Sequence, residues 1–424
     1  MIRSSRCMVL VSGLVSFALA CSDAGHPEKP SPSTPGDGTT ADDAGAPPAV
    51  IGGTVAEISV DPVASETPVT FGHVFVDGDV PADVSLALRT SSGAMLPTQL
   101  DRKATHPSGA LRHGIVSAVL PAGTSGRIEL VRVEATPPAT PRDVRTLLDS
   151  GFDAVVTVHL GDRTLTASAK DALANPSRWL DGAVATEWGG HVPLSDAAGA
   201  HSHLHARFDV RAFAGTAGER VDVTIENAWA FEPAPSSFTY DVDIVVRGSS
   251  AFSKKALKHL HHSRWHRVLT PFADVSVHYD LGYLARTGAV PSYDRTVEVA
   301  AASLEAWGKT AEAGVEPMEV RFLNNYMPST GGRVDIGILP GWTAGWLLSM
   351  DARARRAMLA VADSAPAFSI HYRDKNTDRV VSLETYDDMT ILGRPGDTKH
   401  PFPSCGGDCA SPLTADTAHQ PSMS

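Results

Sequence analysis

Three kinds of hydrophobic and polar pattern follow one another along this chain. Residues 8–19 are a predominantly apolar run behind Arg3 and Arg6. Residues 22–48 (SDAGHPEKPSPSTPGDGTTADDAGAPP) show no apolar periodicity at all. From Thr54 the chain alternates. VAEISVDP, PVTFGHVFVDGDVP with its Asp77-Gly78-Asp79 turn, VSLALRT before Ser91-Ser92-Gly93, MLPTQLDRKATH, LRHGIVSAVLP and GRIELVRVE each have period two. Strands of about four to eight residues with turn signals between them predict a small barrel or sandwich. A second alternating block spans 152–269, with AVVTVHLG, RTLTASAK, HLHARFDVRAFAG, RVDVTIENAWAF and FTYDVDIVV. After Pro271 the spacing becomes helical in TVEVAAASLEAWGKTAEAG and GWTAGWLLSMDARARRAMLAVADSA, where apolar residues recur at three and four. The expected order is β, then β, then α.

The first 52 residues read as export and anchoring. A charged start, an apolar stretch of roughly a dozen residues and a small-residue site suit a secretory signal better than a span, which needs about 20 residues. Cys21 directly after Ala18-Leu19-Ala20 looks like the lipobox of bacterial lipoproteins. That predicts a signal peptide over 1–20 and lipid on Cys21, against an ordinary signal peptide with a chance cysteine. Residues 21–52 are then a Pro, Gly, Ser and Thr-rich tether that cannot bury enough apolar surface to fold. The location this predicts is the bacterial cell envelope, with membrane contact through the lipid anchor only.

The remaining length, out of 424 residues, suits two or three domains. A net charge of −12 gives no reason to expect nucleic acid, which needs a basic face. Of four cysteines, Cys405 and Cys409 bracket GGD, and in an oxidising compartment a small disulfide loop is the natural reading.

Several phrases resemble the secreted three-part proteins related to exo-rhamnogalacturonan lyases, and more closely an uncharacterised bacterial and phage branch of them. These are PVTFGHVFVDGDVP, ATHPSGALRHGIVSAVLP, SRWLDGAVATEWGG, HLHARFDVRAFAG, HHSRWHRV, GGRVDIGILPGWTAGWLLS, HYRDKNTDRVVSLETY and DTAHQPS. The resemblance implies a small N-terminal β-barrel over 53–135, a central antiparallel β-sandwich over 136–270 and an α/α toroid over 271–424. It also implies that more toroid helices follow DTAHQPS. The expectation is therefore a chain cut within the toroid, the alternative being a variant with a reduced toroid.

The candidate chemistry sits on loops. A lyase acting on a uronic acid must neutralise a carboxylate, remove the neighbouring proton and protonate the leaving oxygen. His371, Tyr372 and Arg373 supply those residue types together, or else form a salt-bridged lid with a packed tyrosine. His419 is a further proton carrier. Asn325, Tyr326, Arg333, Asp335 and Trp342 have the amides, charges and aromatic face of a sugar subsite; alternatively Gly331 and Gly332 turn the chain, Arg333 pairs Asp335 and Trp342 is core. His278 and Tyr283 stand at the junction of the β and α parts, where clefts form. The alternating His201, His203 and His205 could line one strand face and hold a divalent cation, or simply be polar surface; no cofactor is otherwise implied.

The function expected is β-elimination on an acidic polysaccharide or oligosaccharide. Two alternatives stand beside it. One is a glycoside hydrolase, which needs two carboxylates flanking the bond. The other is a glycan-binding surface lipoprotein with no turnover.

Overall fold

The computed structural model describes residues 49–135, 140–312, 316–319 and 338–386. The chain is mostly β, and its sheets are antiparallel.

Seven strands open it: β1 (Val50–Val60), β2 (Thr67–Val74), β3 (Val84–Thr90), β4 (Met95–Leu96), β5 (Thr98–Thr105), β6 (Leu111–Leu120) and β7 (Gly126–Glu134). They form one sheet in the order β1-β7-β3-β4 and another in the order β2-β6-β5. The alternation read from the sequence sends Ile58, Val60, Leu86, Leu88, Ile128 and Leu130 of the first sheet into one core. Phe71, Leu111, Val116 and Ala118 of the second meet them there.

Two short helices, α1 (Val144–Asp149) and α2 (Ala169–Ala172), flank the next block. Its strands are β8 (Ala154–Leu160), β9 (Arg163–Ser168), β10 (Ser177–Asp181), β11 (Ala185–Asp196), β12 (Gly199–Phe213), β13 (Glu219–Asn227), β14 (Phe238–Val246), β15 (Ser249–His259) and β16 (Ser263–Leu269). These strands form one nine-stranded antiparallel sheet ordered β15-β14-β8-β9-β11-β12-β13-β16, with β10 on β11. Strands β15 and β16 touch, so the sheet nearly closes on itself. Strands of 12 and 15 residues make this curl feasible, and β11 and β12 shift register between Pro193 and Ser195; such irregularities bend and twist a sheet. Trp188, Phe208, Val210, Val223, Ile225 and Trp265 fill the interior. Truncating one of the large ones, as in Phe208→Ala, costs about 3–5 kcal/mol.

The chain then returns to the first body. Strand β17 (Val277–Tyr279) pairs with β1, and Tyr283 of α3 (Leu281–Arg286) enters the first core. Helix α4 (Ala301–Glu312) packs on α6 (Ala352–Ser364), as does α5 (Gly341–Ser349). The long helical pattern after Gly341 is thus two helices. Met350 adopts a left-handed φ of 51° and Asp351 caps α6 by accepting from Arg353 N at 2.8 Å. Trp342, Ala357, Val361 and Phe368 make their shared core. A two-strand hairpin, β18 (Arg373–Asp374) with β19 (Arg379–Val380), follows. No helix among the described residues is long and apolar enough to cross a membrane.

Candidate functional site

Strand β12 decides where the chemistry lies. In HARFDVRA the alternate residues Ala206, Phe208, Val210 and Ala212 are buried in the sheet interior, so His205, Arg207, Asp209 and Arg211 all emerge on the outer face. Antiparallel register extends each of them into a row. Pro193, His205, Glu226 and Arg264 are aligned across β11, β12, β13 and β16; so are His191, Arg207, Thr224 and His266. The next row is Gly189, Asp209, Asp222 and Val268.

Glu226 is the centre of this face, with a side chain only 1% exposed. Its Oε2 lies 2.6 Å from His205 Nε2 and accepts from Arg207 Nε at 2.6 Å. Its Oε1 lies 3.3 Å from Arg373 Nη2 and 3.5 Å from Arg264 Nη1. Burial alone would raise the Glu226 pKa, but the hydrogen bond and charge of His205, with Arg207 and Arg373, hold it well below the usual carboxylate range. The ring of His205 stacks on Trp229, with centroids 4.2 Å apart.

The segment carrying His371, Tyr372 and Arg373 is laid onto this face by backbone bonds. His371 N donates to His262 O, Arg373 N to Ala228 O and Ala230 N to Arg373 O, each at 2.9 Å. Arg373 therefore answers Glu226 and the carbonyl of Asp378. Tyr372 is buried with Ala230 and Val381, and its hydroxyl donates to Ser369 O at 3.3 Å. His371 lines a crevice of about 110 Å³ with Glu226, Arg264 and Arg373. Burial, then the charge of Arg264, lowers its pKa to about 4.

A larger cleft of about 430 Å³ lies on the same face, where Asp171, Asn175, His191, Arg207, Asp209 and Asp378 converge. Two glycines make room for it. A Cβ on Gly190 would stand 2.1 Å from the carbonyl oxygen of Ala172, and one on Gly189 would stand 2.6 Å from Asp209 Oδ1. Asp378, the last residue of the β18–β19 turn, is fixed by Arg207, whose Nη1 donates to Oδ2 at 2.9 Å. Burial would raise its pKa, and the Arg207 hydrogen bond and charge outweigh that and lower it. Asp209 is the opposite case. Among the described residues no donor answers its carboxylate, and burial, then the charges of Glu187 and Asp222, push its pKa up to about 6. His191 is held below its ordinary value by burial and then by Arg207. Two carboxyl groups of one cleft are thus pushed apart, one towards proton donor and one towards a fixed anion.

The other expected residues lie elsewhere. Trp342 is 2% exposed within the helical core. Tyr283 is buried in the first core, and its hydroxyl donates to Asp79 Oδ2 at 2.8 Å. His278, on β17, has Nε2 3.2 Å from Asp61 Oδ1. Cys21, Asn325, Tyr326, Arg333, Asp335, Cys405, Cys409 and His419 lie outside the described residues. The three alternating histidines act separately. His201 Nδ1 accepts from the backbone N–H groups of His203 and Leu204, His203 Nε2 lies 2.9 Å from Pro233 O, and His205 serves Glu226. Among the described residues no group of three or more His, Cys, Asp or Glu could hold a metal ion.

Sequence reasoning missed His191, Arg207, Asp209, Glu226 and Asp378. A usable signal exists for two of them. A strand whose one face is wholly apolar and whose other reads His, Arg, Asp, Arg carries more mixed charge than a solvated edge requires. No protein-family model matches the chain and no curated protein is significantly similar to it, so the site is read from its chemistry alone.

Proposed function

We propose that this is a carbohydrate-active protein of the cell envelope, held by lipid on Cys21, that cleaves a glycosidic bond by acid–base chemistry in the cleft at Asp209. The single observation that carries this reading is the unanswered Asp209 carboxyl opposite the Arg207-bound Asp378 in one polar cleft. Asp209 would protonate the leaving oxygen, and Asp378 would serve as the base or as the stabilising anion. His191 and Asn175 offer hydrogen bonds to hydroxyls. Such a division of labour between two carboxyl groups is that of a glycoside hydrolase.

The cleft supports hydrolysis better than elimination. A uronate undergoing elimination needs a cation to spare for its carboxylate, and Arg207 is already divided between Glu226 and Asp378. Asp171, Asp209 and Asp378 would also repel an acid placed among them. The three-part lyase-like architecture, with its partial toroid, remains part of the proposal and rests on the sequence phrases that resemble that family.

The test is product analysis with the full chain on a panel of neutral and acidic polysaccharides. Hydrolysis predicts new reducing ends without unsaturated uronate. Unsaturated product, lost on His371→Ala, would overturn the assignment in favour of elimination; binding of a glycan without any cleavage would favour a non-catalytic receptor.

A further inference from the structure

Arg264 stands on the outer face with only a loose ion pair to answer its charge. Its Nε is buried with no hydrogen-bond partner among the described residues, and its one ion-pair contact, Nη1 to Glu226 Oε1, is long at 3.5 Å. Arginine carries five N–H donors in a rigid fork, and with the side chain 36% exposed the outer donors remain open to a ligand or to solvent. A buried donor left without a partner is costly, so an acceptor placed beside Nε is favoured. The crevice beside it is lined by Arg264, Arg373, His371 and Glu226.

Size and charge restrict what could enter. The crevice is small, about 110 Å³, with room for a carboxylate group and accompanying water. Two guanidiniums face one carboxylate in its lining, and that carboxylate is also answered from its other side by His205 and Arg207. The nearby Asp222 and Asp363 are bridged by His266, at 3.0 and 3.3 Å. A single negative charge is therefore accommodated, whereas a dianion would meet Glu226 unfavourably.

We propose that the crevice between Arg264, Arg373 and His371 is a carboxylate-binding subsite, taking the acid group of a sugar acid whose ring stays on the surface outside. Its residues are not those of the cleavage reading, so either can fail alone.

The experiment is calorimetric titration of the full chain with D-glucuronate, D-glucose and glucose 6-phosphate, together with NMR titration of the His371 imidazole. Glucuronate should bind, glucose should bind at least about tenfold more weakly, and Arg264→Gln should weaken glucuronate about tenfold or more. Arg264→Lys keeps the charge without the fork and should also bind more weakly, which preserves the test if the glutamine variant misfolds. Bound carboxylate should raise the His371 pKa, since an anion favours the imidazolium. Asp209→Asn should leave glucuronate binding unchanged even where it abolishes cleavage. Equal affinity for glucose, tighter binding of the phosphate sugar, or an Arg264 variant as good as the native chain would each overturn the proposal.

Discussion

Arg207 and Asp378, 171 residues apart in sequence, form a two-pronged ion pair that joins the outer face of the large sheet to the turn of the β18–β19 hairpin. The guanidinium Nε reaches in the other direction to Glu226. One arginine therefore positions an anion on the cleft and neutralises the buried centre behind it. Removing one partner of a buried pair costs about 3–5 kcal/mol because the other charge is left stranded. Arg207→Met should lower unfolding stability by roughly that amount, reduced because the Asp378 arm is partly exposed. It should also loosen the hairpin: the Ala230 and Arg373 amides should lose hydrogen-exchange protection well before the interior amides of β12. Unchanged protection would show that the backbone bonds hold the hairpin unaided.

Asp209 predicts a variant that is more stable and inactive. Its folded pKa of about 6 lies above the ordinary 3.8, so the protonated form favours the fold. That contribution is full below the unfolded value and is lost as pH rises through 6. Two pH units correspond to at most about 3 kcal/mol, and partial exposure reduces this to about 1–2 kcal/mol. Asp209→Asn should accordingly raise the urea midpoint at pH 7 and leave it little changed at pH 4. A variant destabilised at pH 7 would mean that the carboxylate has a partner in solution.

The glycine pair separates structure from chemistry. Gly190→Ala drives a Cβ into the backbone of Ala172, which cannot retreat as a side chain can, and should cost at least about 1–3 kcal/mol. Gly189→Ala meets the Asp209 carboxylate at 2.6 Å and Ser177 Oγ at 3.2 Å, both side-chain atoms that can rotate away. It should therefore fold nearly as well while losing cleavage. Thermal melts with activity assays would check both, and equal losses of stability would remove the distinction.

Much of the fold was legible because strand alternation and turn residues are local signals. The two β blocks and the helical style after Pro271 follow from them. The break at Met350 was not, since GWTAGWLLSMDARARRAMLAVADSA keeps helical spacing through a left-handed residue that only the αL backbone reveals. The return of β17 to β1 depends on pairing across more than 200 residues, for which no local pattern exists. The site followed the same rule. His371, Tyr372 and Arg373 were visible as a cluster of suitable types. Their partner Glu226, and the convergence of Arg207 with Asp378, are products of sheet register and hairpin docking.

Acid should weaken the fold over a defined window. Burial holds His73 and His259 at about 4 and His261 at about 3. In the unfolded chain they titrate near 6.5, so their neutral forms are fully compatible with folding above that value. Stability falls as pH drops from about 6.5 towards 4, where the unfolded state takes up protons that the native state refuses. His266 runs the other way. Asp222 and Asp363 raise it to about 9, so its contribution is present below 6.5 and disappears as pH rises through 9. Urea midpoints measured from pH 4 to 10 should show a broad maximum near neutrality. A midpoint that is flat between pH 6.5 and 4 would mean that these imidazoles reach solvent.

The most direct measurement is the pH dependence of kcat/KM for the full chain on whichever glycan of the panel it cleaves. With Asp209 as proton donor, the rate should fall about tenfold per pH unit above roughly 6, and Asp209→Asn should lose about two to four powers of ten. A rate that stays level from pH 6 to 8, or an Asp209→Asn variant that cleaves as fast as the native chain, would contradict the assignment of the cleft.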